Sequence, residues 1–333
     1  MPPGMPYGGA PHPDFRPVPP GHWPGPSEWG RQPNPYALPA RYAPPRRSVG
    51  SGIAGVLGAV ATVVVIGVIA LSAFGSREPI AGGTSEGGNP GRASRAAATR
   101  SALYKSGELT PVDCRLPRIV SGSDSSMKTF METLTGCLDD VWGRQFRKAD
   151  IGFSRPQRVF WLEPGRSPCG SYPQPGAAAF YCAANDTMYV GLENVVETSG
   201  SEPVSHYAVY ARVISHEYGH HVQQEAGILA YGHQLMDQQD AVRSAEASRR
   251  IELQAQCFAG AFLGAERTTL PMTEEQFRAM INDVFGRGDD PREPAEHHDH
   301  GSAKHYAGWV VSGYTKRALS SCNTWTAALS EVS

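Results

Sequence analysis

The chain has no excess of basic charge: 30 Lys and Arg against 32 Asp and Glu leave a net charge of -2 over 333 residues. No basic stripe breaks that balance, which removes the electrostatic case for nucleic-acid binding. There is no C-x-x-C pair, so the thiolate spacing of a structural zinc-cysteine site is missing as well. The first 48 residues lack cysteine, hold few aliphatic side chains, and contain fifteen of the 28 prolines. A Pro/Gly-rich segment with so little to bury has no helical or strand period and is expected to be disordered. It reads either as a solvated extension or as a tail that docks a polyproline-binding partner.

Charge is absent altogether from 53–74, IAGVLGAVATVVVIGVIALSAF. At about 1.5 Å per helical residue such an apolar run is long enough to cross a bilayer. A cleaved signal peptide is the competing reading, but the run is long for a signal core and far from the N-terminus. Arg41, Arg46 and Arg47 precede it, against Arg77 alone just after. The positive-inside rule then leaves residues 1–48 in the cytoplasm and the remainder outside, as a single-pass protein of the cell membrane with the lipid bilayer as its partner. Residues 75–110, rich in Gly, Ser and Ala, read as a flexible stalk.

From 111 to 333 the composition becomes that of a folded domain, large enough for one substantial core. All six cysteines lie here, at 114, 137, 169, 182, 257 and 322. An even number on the side assigned to the extracytoplasmic space fits disulfides. Neighbour pairing suggests 114 with 137 and 169 with 182, leaving 257 with 322. Ser125 or Ser126 is placed to cap a helix whose Phe130, Leu134, Leu138, Trp142 and Phe146 recur at helical spacing and read as core. Strand-like runs follow at 157–162 and 187–192, separated by a Pro/Gly-rich loop. Met188-Tyr189-Val190 reads either as a sheet edge able to pair with an extended peptide or as an ordinary structural strand. Together these predict an α+β domain, mainly helical with a small antiparallel or mixed sheet.

One stretch carries chemistry. In His216-Glu217-Tyr218-Gly219-His220 two imidazoles four residues apart share a helix face and can hold one metal ion. Glu217 lies about 100° around the helix, where its carboxylate reaches a water on that metal without being a ligand. This is the zincin arrangement. Some thirty residues on, Ile251, Ala255, Phe258 and Phe262 mark a second helix with a buried stripe. Glu252 on that helix is either a solvated carboxylate or the third zinc ligand, leaving a fourth position open as a catalytic site requires.

HEYGHHVQ at 216–223, IELQAQCFAG at 251–260, FYCAANDTMYV at 180–190, HGS at 300–302 and CNTW at 322–325 together resemble the bacterial neutral zinc metallopeptidases, over roughly 111–325. The resemblance implies a gluzincin-like peptidase holding one Zn2+ with His216, His220 and Glu252, with Glu217 as catalytic base. Cysteines matching 169, 182, 257 and 322 are also usual in that family, in line with the pairing above. His300 matches the family's HGS motif and is expected to stabilise the developing oxyanion or orient substrate. His297, His298 and His305 are expected at the surface, and Ser302 to cap the helix that follows. His221, Tyr218 and Gly219 are expected to serve packing.

One departure stands out. The family usually has an acid four residues after the ligand glutamate, where this chain has Gln256. The amide still accepts a hydrogen bond but brings no charge. Two functions follow: a membrane-anchored zinc metallopeptidase acting on peptides or proteins outside the cytoplasm, or a weakly active or inactive zincin-like scaffold of the cell envelope.

Overall fold

The structure, a computed structural model, describes residues 93–333 apart from 174–176, 201 and 239. The expected tail at 1–48, the transmembrane run at 53–74 and the first part of the stalk lie outside the described residues. Among the described residues no helix is long and apolar enough to cross a membrane.

Order begins earlier than the composition implied. A short helix α1 (Arg95–Arg100) and a 3-10 turn (Ala102–Lys105) precede residue 111. Leu103 and Tyr104 are buried. The Tyr104 hydroxyl donates to the Ala98 carbonyl at 2.8 Å, and the Asn323 amide donates to the Thr99 carbonyl at 3.0 Å. The flexible stalk expected to reach residue 110 therefore ends by about residue 94. The segment holds few apolar residues, so its composition resembles a linker, yet Ala98, Leu103, Tyr104 and Leu109 are buried.

Helix α2 (Asp124–Lys148) is capped by Ser123, whose hydroxyl accepts from the Ser126 backbone N–H at 3.3 Å. The cap thus lies two residues before the first serine expected, with Asp124 in the first turn facing the helix dipole. Phe130, Leu134, Leu138, Trp142 and Phe146 are all buried as their spacing requires. Each such side chain contributes about 1.5–3 kcal/mol by leaving water, which is what fixes α2 across the core.

Strand β1 (Gln157–Trp161), the hairpin β2 (Gly165–Ser167) with β3 (Gly170–Tyr172), then β4 (Ala179–Cys182) and β5 (Thr187–Gly191) follow. The three-stranded sheet has the order β1-β5-β4, with β1 parallel and β4 antiparallel to β5, so it is mixed. Val190 lies opposite Ala179 on one side and Phe160 on the other. Met188-Tyr189-Val190 is therefore the centre of the sheet and cannot accept an added strand. The free edge beside the helices belongs to β4, which the Pro/Gly-rich loop concealed in the sequence.

The helical half comprises α3 (Asn194–Glu197), α4 (Tyr207–Glu225), α5 (Ile228–Gln238), α6 (Ala241–Ala265), α7 (Glu274–Phe285) and α8 (Ala303–Lys316). Helix α4 is buried along nearly its whole length and stops where Gly227 takes a φ of 70°, the left-handed backbone that closes a helix. Gly219 lets α4 meet α6 closely, since a Cβ there would sit 3.0 Å from the Ala255 backbone. Helix α8 begins at Ser302, but its hydroxyl bonds to His305 and the Ser333 carbonyl instead of capping the helix. The disulfides are Cys114–Cys137, Cys169–Cys182 and Cys257–Cys322, the pairing that neighbour order suggested.

Candidate metal centre

The spacing of four residues on α4 brings His216 and His220 to one face, and α6, packed against it, adds Glu252. The two Nε2 atoms lie 3.2 Å apart. His216 Nε2 is 3.1 Å from Glu252 Oε2, and His220 Nε2 is 3.5 Å from Glu252 Oε1. Donors of this kind around one tetrahedral zinc ion stand about 3.4 Å from each other. Glu252 is buried, and its two carboxylate oxygens face the two histidine rings, with Oε2 lacking any well-aligned hydrogen bond. Two imidazoles and a carboxylate buried in this way fit a zinc ion.

Burial opposes charge on both rings. At His216 it prevails and the pKa falls to about 4; at His220 the Glu252 carboxylate overrides it and the pKa rises to about 9. Glu217 is also buried, which pushes its carboxyl up to about 7 against the pull of His220. The backbone amide of Tyr181 on β4 faces this carboxylate, so Glu217 stands between the trio and the free sheet edge.

The neighbouring motif residues anchor α4. The Tyr218 hydroxyl donates to Asp139 Oδ1 on α2 at 2.7 Å. His221 donates from Nε2 to the Ser154 carbonyl at 2.7 Å, while its Nδ1 lies 3.1 Å from the Tyr181 hydroxyl. One turn before His216, the buried Arg212 pairs with Asp283 of α7, which Arg287 also holds at 2.8 Å.

His300 is brought into the same region. The Asp289 carboxylate accepts from the backbone N–H of His300 at 3.0 Å and of Gly301 at 2.6 Å, fixing a turn in which Gly301 has a φ of 88°. His300 Nδ1 lies 2.5 Å from Asp299 Oδ1, and Asp299 counts first among the groups that raise its pKa to about 9 against burial. Tyr306 of α8 is buried between the two histidines, its ring centre 6.4 Å from that of His216 and 5.8 Å from that of His300. His297 is exposed, His298 bonds the Asp290 carbonyl at 3.2 Å, and His305 bonds Ser302 at 3.0 Å; none of them is in the trio. Asp299, Tyr306 and Arg212 have no separate role in the sequence reading. Only Asp299 left a signal there, as the acid beside His300.

A family model described as "putative neutral zinc metallopeptidase" matches residues 112–325. The chain belongs to this family. It is 26% identical over 215 residues to the uncharacterized protein YpfJ of Escherichia coli strain K12, covering 62% of this chain and 75% of that protein. It is 32% identical over 212 residues to the uncharacterized protein Rv2575 of Mycobacterium tuberculosis strain H37Rv, covering 57% of this chain and 68% of that one. No solved structure matches. The family's name speaks for zinc and peptide hydrolysis as a class.

Proposed function

We propose that the chain is a zinc-dependent metallopeptidase that hydrolyses peptide bonds outside the cytoplasm, anchored in the bilayer by 53–74. The observation that carries this reading is the buried trio of His216, His220 and Glu252 with the carboxyl of Glu217 beside it. A zinc ion bound there supplies Lewis acidity, lowering the pKa of a water to about 7 and polarising the scissile carbonyl.

The protein's own groups do the rest. Glu217, with a pKa of about 7, takes the proton of the attacking water and returns it to the leaving amine. His300, held by Asp299, donates a hydrogen bond to the carbonyl oxygen as it gains negative charge. The unpaired edge of β4 aligns an extended peptide by adding it to the ladder, which moves the role first given to Met188-Tyr189-Val190 onto 179–182.

The second reading, an envelope scaffold, draws on Gln256, a neutral group at the position where the family has an acid. Substituting Glu217→Ala separates the two. The peptidase reading expects peptide cleavage to fall by about 10²- to 10⁴-fold with zinc retained. A wild type that binds zinc and cleaves no peptide in a broad library favours the scaffold.

A further inference from the structure

Three residues after His220, on the same helix, Gln223 is fully buried. Its Nε2 lies 2.9 Å from the carbonyl of Ile251, the residue before Glu252 on α6. A carbonyl can only accept, so this end of the amide is the donor. Its Oε1 must then face His220 Nδ1, 3.0 Å away, and an oxygen there requires an N–H on the ring. In the neutral ring, the form that can bind a metal, the opposite nitrogen Nε2 then keeps its lone pair, and it is the nitrogen that points at Glu252 and His216.

The direction of this chain is fixed a second time, from further off. Gln254 donates from Nε2 to the Cys322 carbonyl at 2.9 Å, so its Oε1 is the atom that accepts from Gln223 at 3.0 Å. The same Nε2 donates to the Tyr104 hydroxyl at 2.7 Å, and that hydroxyl donates to the Ala98 carbonyl. Four side chains thus run in one sense from the N-terminal segment to the ring of His220. Reversing either amide would place oxygen against a carbonyl at 2.9 Å in a buried site, where such a repulsion is strong.

We propose that Gln223 is a positioning residue for the metal centre: it fixes His220 in the form protonated at Nδ1 and ties α4 to α6 next to Glu252, with Gln254 and Tyr104 holding it in that sense. The inference rests on the zinc reading given above, and deepens it by naming what orients one ligand. Gln223 touches no substrate and acts through His220.

The test compares full-length wild type with Gln223→Met, which keeps length and burial but has no amide. Zinc dissociation constants are measured by competition with a chromogenic chelator, alongside the metal-free Tm and the visible absorption of the cobalt(II)-substituted protein. Gln223→Met is expected to weaken zinc about 10- to 100-fold and to shift the cobalt bands. A variant that loses Tm while keeping the wild-type zinc constant and cobalt spectrum overturns the proposal, because Gln223 would then serve packing alone. Should Gln223→Met not fold, Gln223→Asn, one methylene too short to span His220 and Ile251, is read against the same two outcomes. A wild type that takes up no zinc contradicts the peptidase reading instead, and is recognised before any variant is compared.

Discussion

The two histidines proposed as ligands stand one helical turn apart on α4 in unlike surroundings. His220 ends a buried chain of amides whose direction is set by the Ile251 and Cys322 carbonyls. His216 has a buried Nδ1 with no hydrogen-bond partner. Nearby on α6, both amide atoms of Gln256 are buried without a hydrogen bond of ordinary length, with the Tyr306 hydroxyl set beside them. The fold therefore gives one ring a fixed hydrogen-bond partner at Nδ1 and leaves the other without one. The loosely held side is also the side of Gln256, where the resemblance drawn from the sequence leads one to expect an acid.

The largest effect erases the comparison. His216→Ala or His220→Ala removes a ligand, and neither protein is expected to retain zinc through gel filtration, read by elemental mass spectrometry. Next comes the support of α4 on the His216 side. Asp283→Asn leaves Arg212 buried without its counter-charge and is expected to cost about 3–5 kcal/mol of stability in urea unfolding. Burial raises the Asp283 pKa, but Arg212 and Arg287 outweigh it and hold the carboxyl below its ordinary 3.8. A depressed folded pKa gives stability that is present above the unfolded value and lost as pH falls through the folded one. Wild type should thus lose stability more steeply than Asp283→Asn as pH is lowered through 3.8.

Two smaller changes sharpen the contrast. Gln256→Asp restores the family's acid on the His216 side and is expected to tighten zinc by about tenfold, measured by chelator competition. The same substitution leaves the His220 side untouched. Tyr104→Phe works on the other side from the far end of the amide chain. It removes one hydrogen bond worth about 0.5–1.5 kcal/mol, read as a small fall in Tm, with a weaker effect on zinc than any change at Gln223.

These sites were unevenly legible in the sequence. Glu252 comes from another helix and its own spacing left it open between a solvated carboxylate and a ligand, whereas the pairing of His216 with His220 follows from local helical spacing. The stripe of α2 follows for the same reason, and neighbour pairing of the cysteines agreed with what the fold allows. Strand order did not follow, because pairing is a long-range property: 187–192 carried the clearest strand signal and is central, whereas 179–182, hidden between Pro, Gly and Cys, is one of the two edges. The support of His220 was also out of reach. It depends on Tyr104 and Gln254, 150 residues apart, and on which end of each amide faces a carbonyl. Residues 94–110 misled because four buried side chains, Ala98, Leu103, Tyr104 and Leu109, suffice to dock the segment.

The most direct test of the account is the zinc content of the purified full-length chain, folded under oxidising conditions and supplied with zinc, by elemental mass spectrometry. About one zinc per chain, lost in His216→Ala, is the expected result. A protein with native circular dichroism that holds no zinc would contradict it.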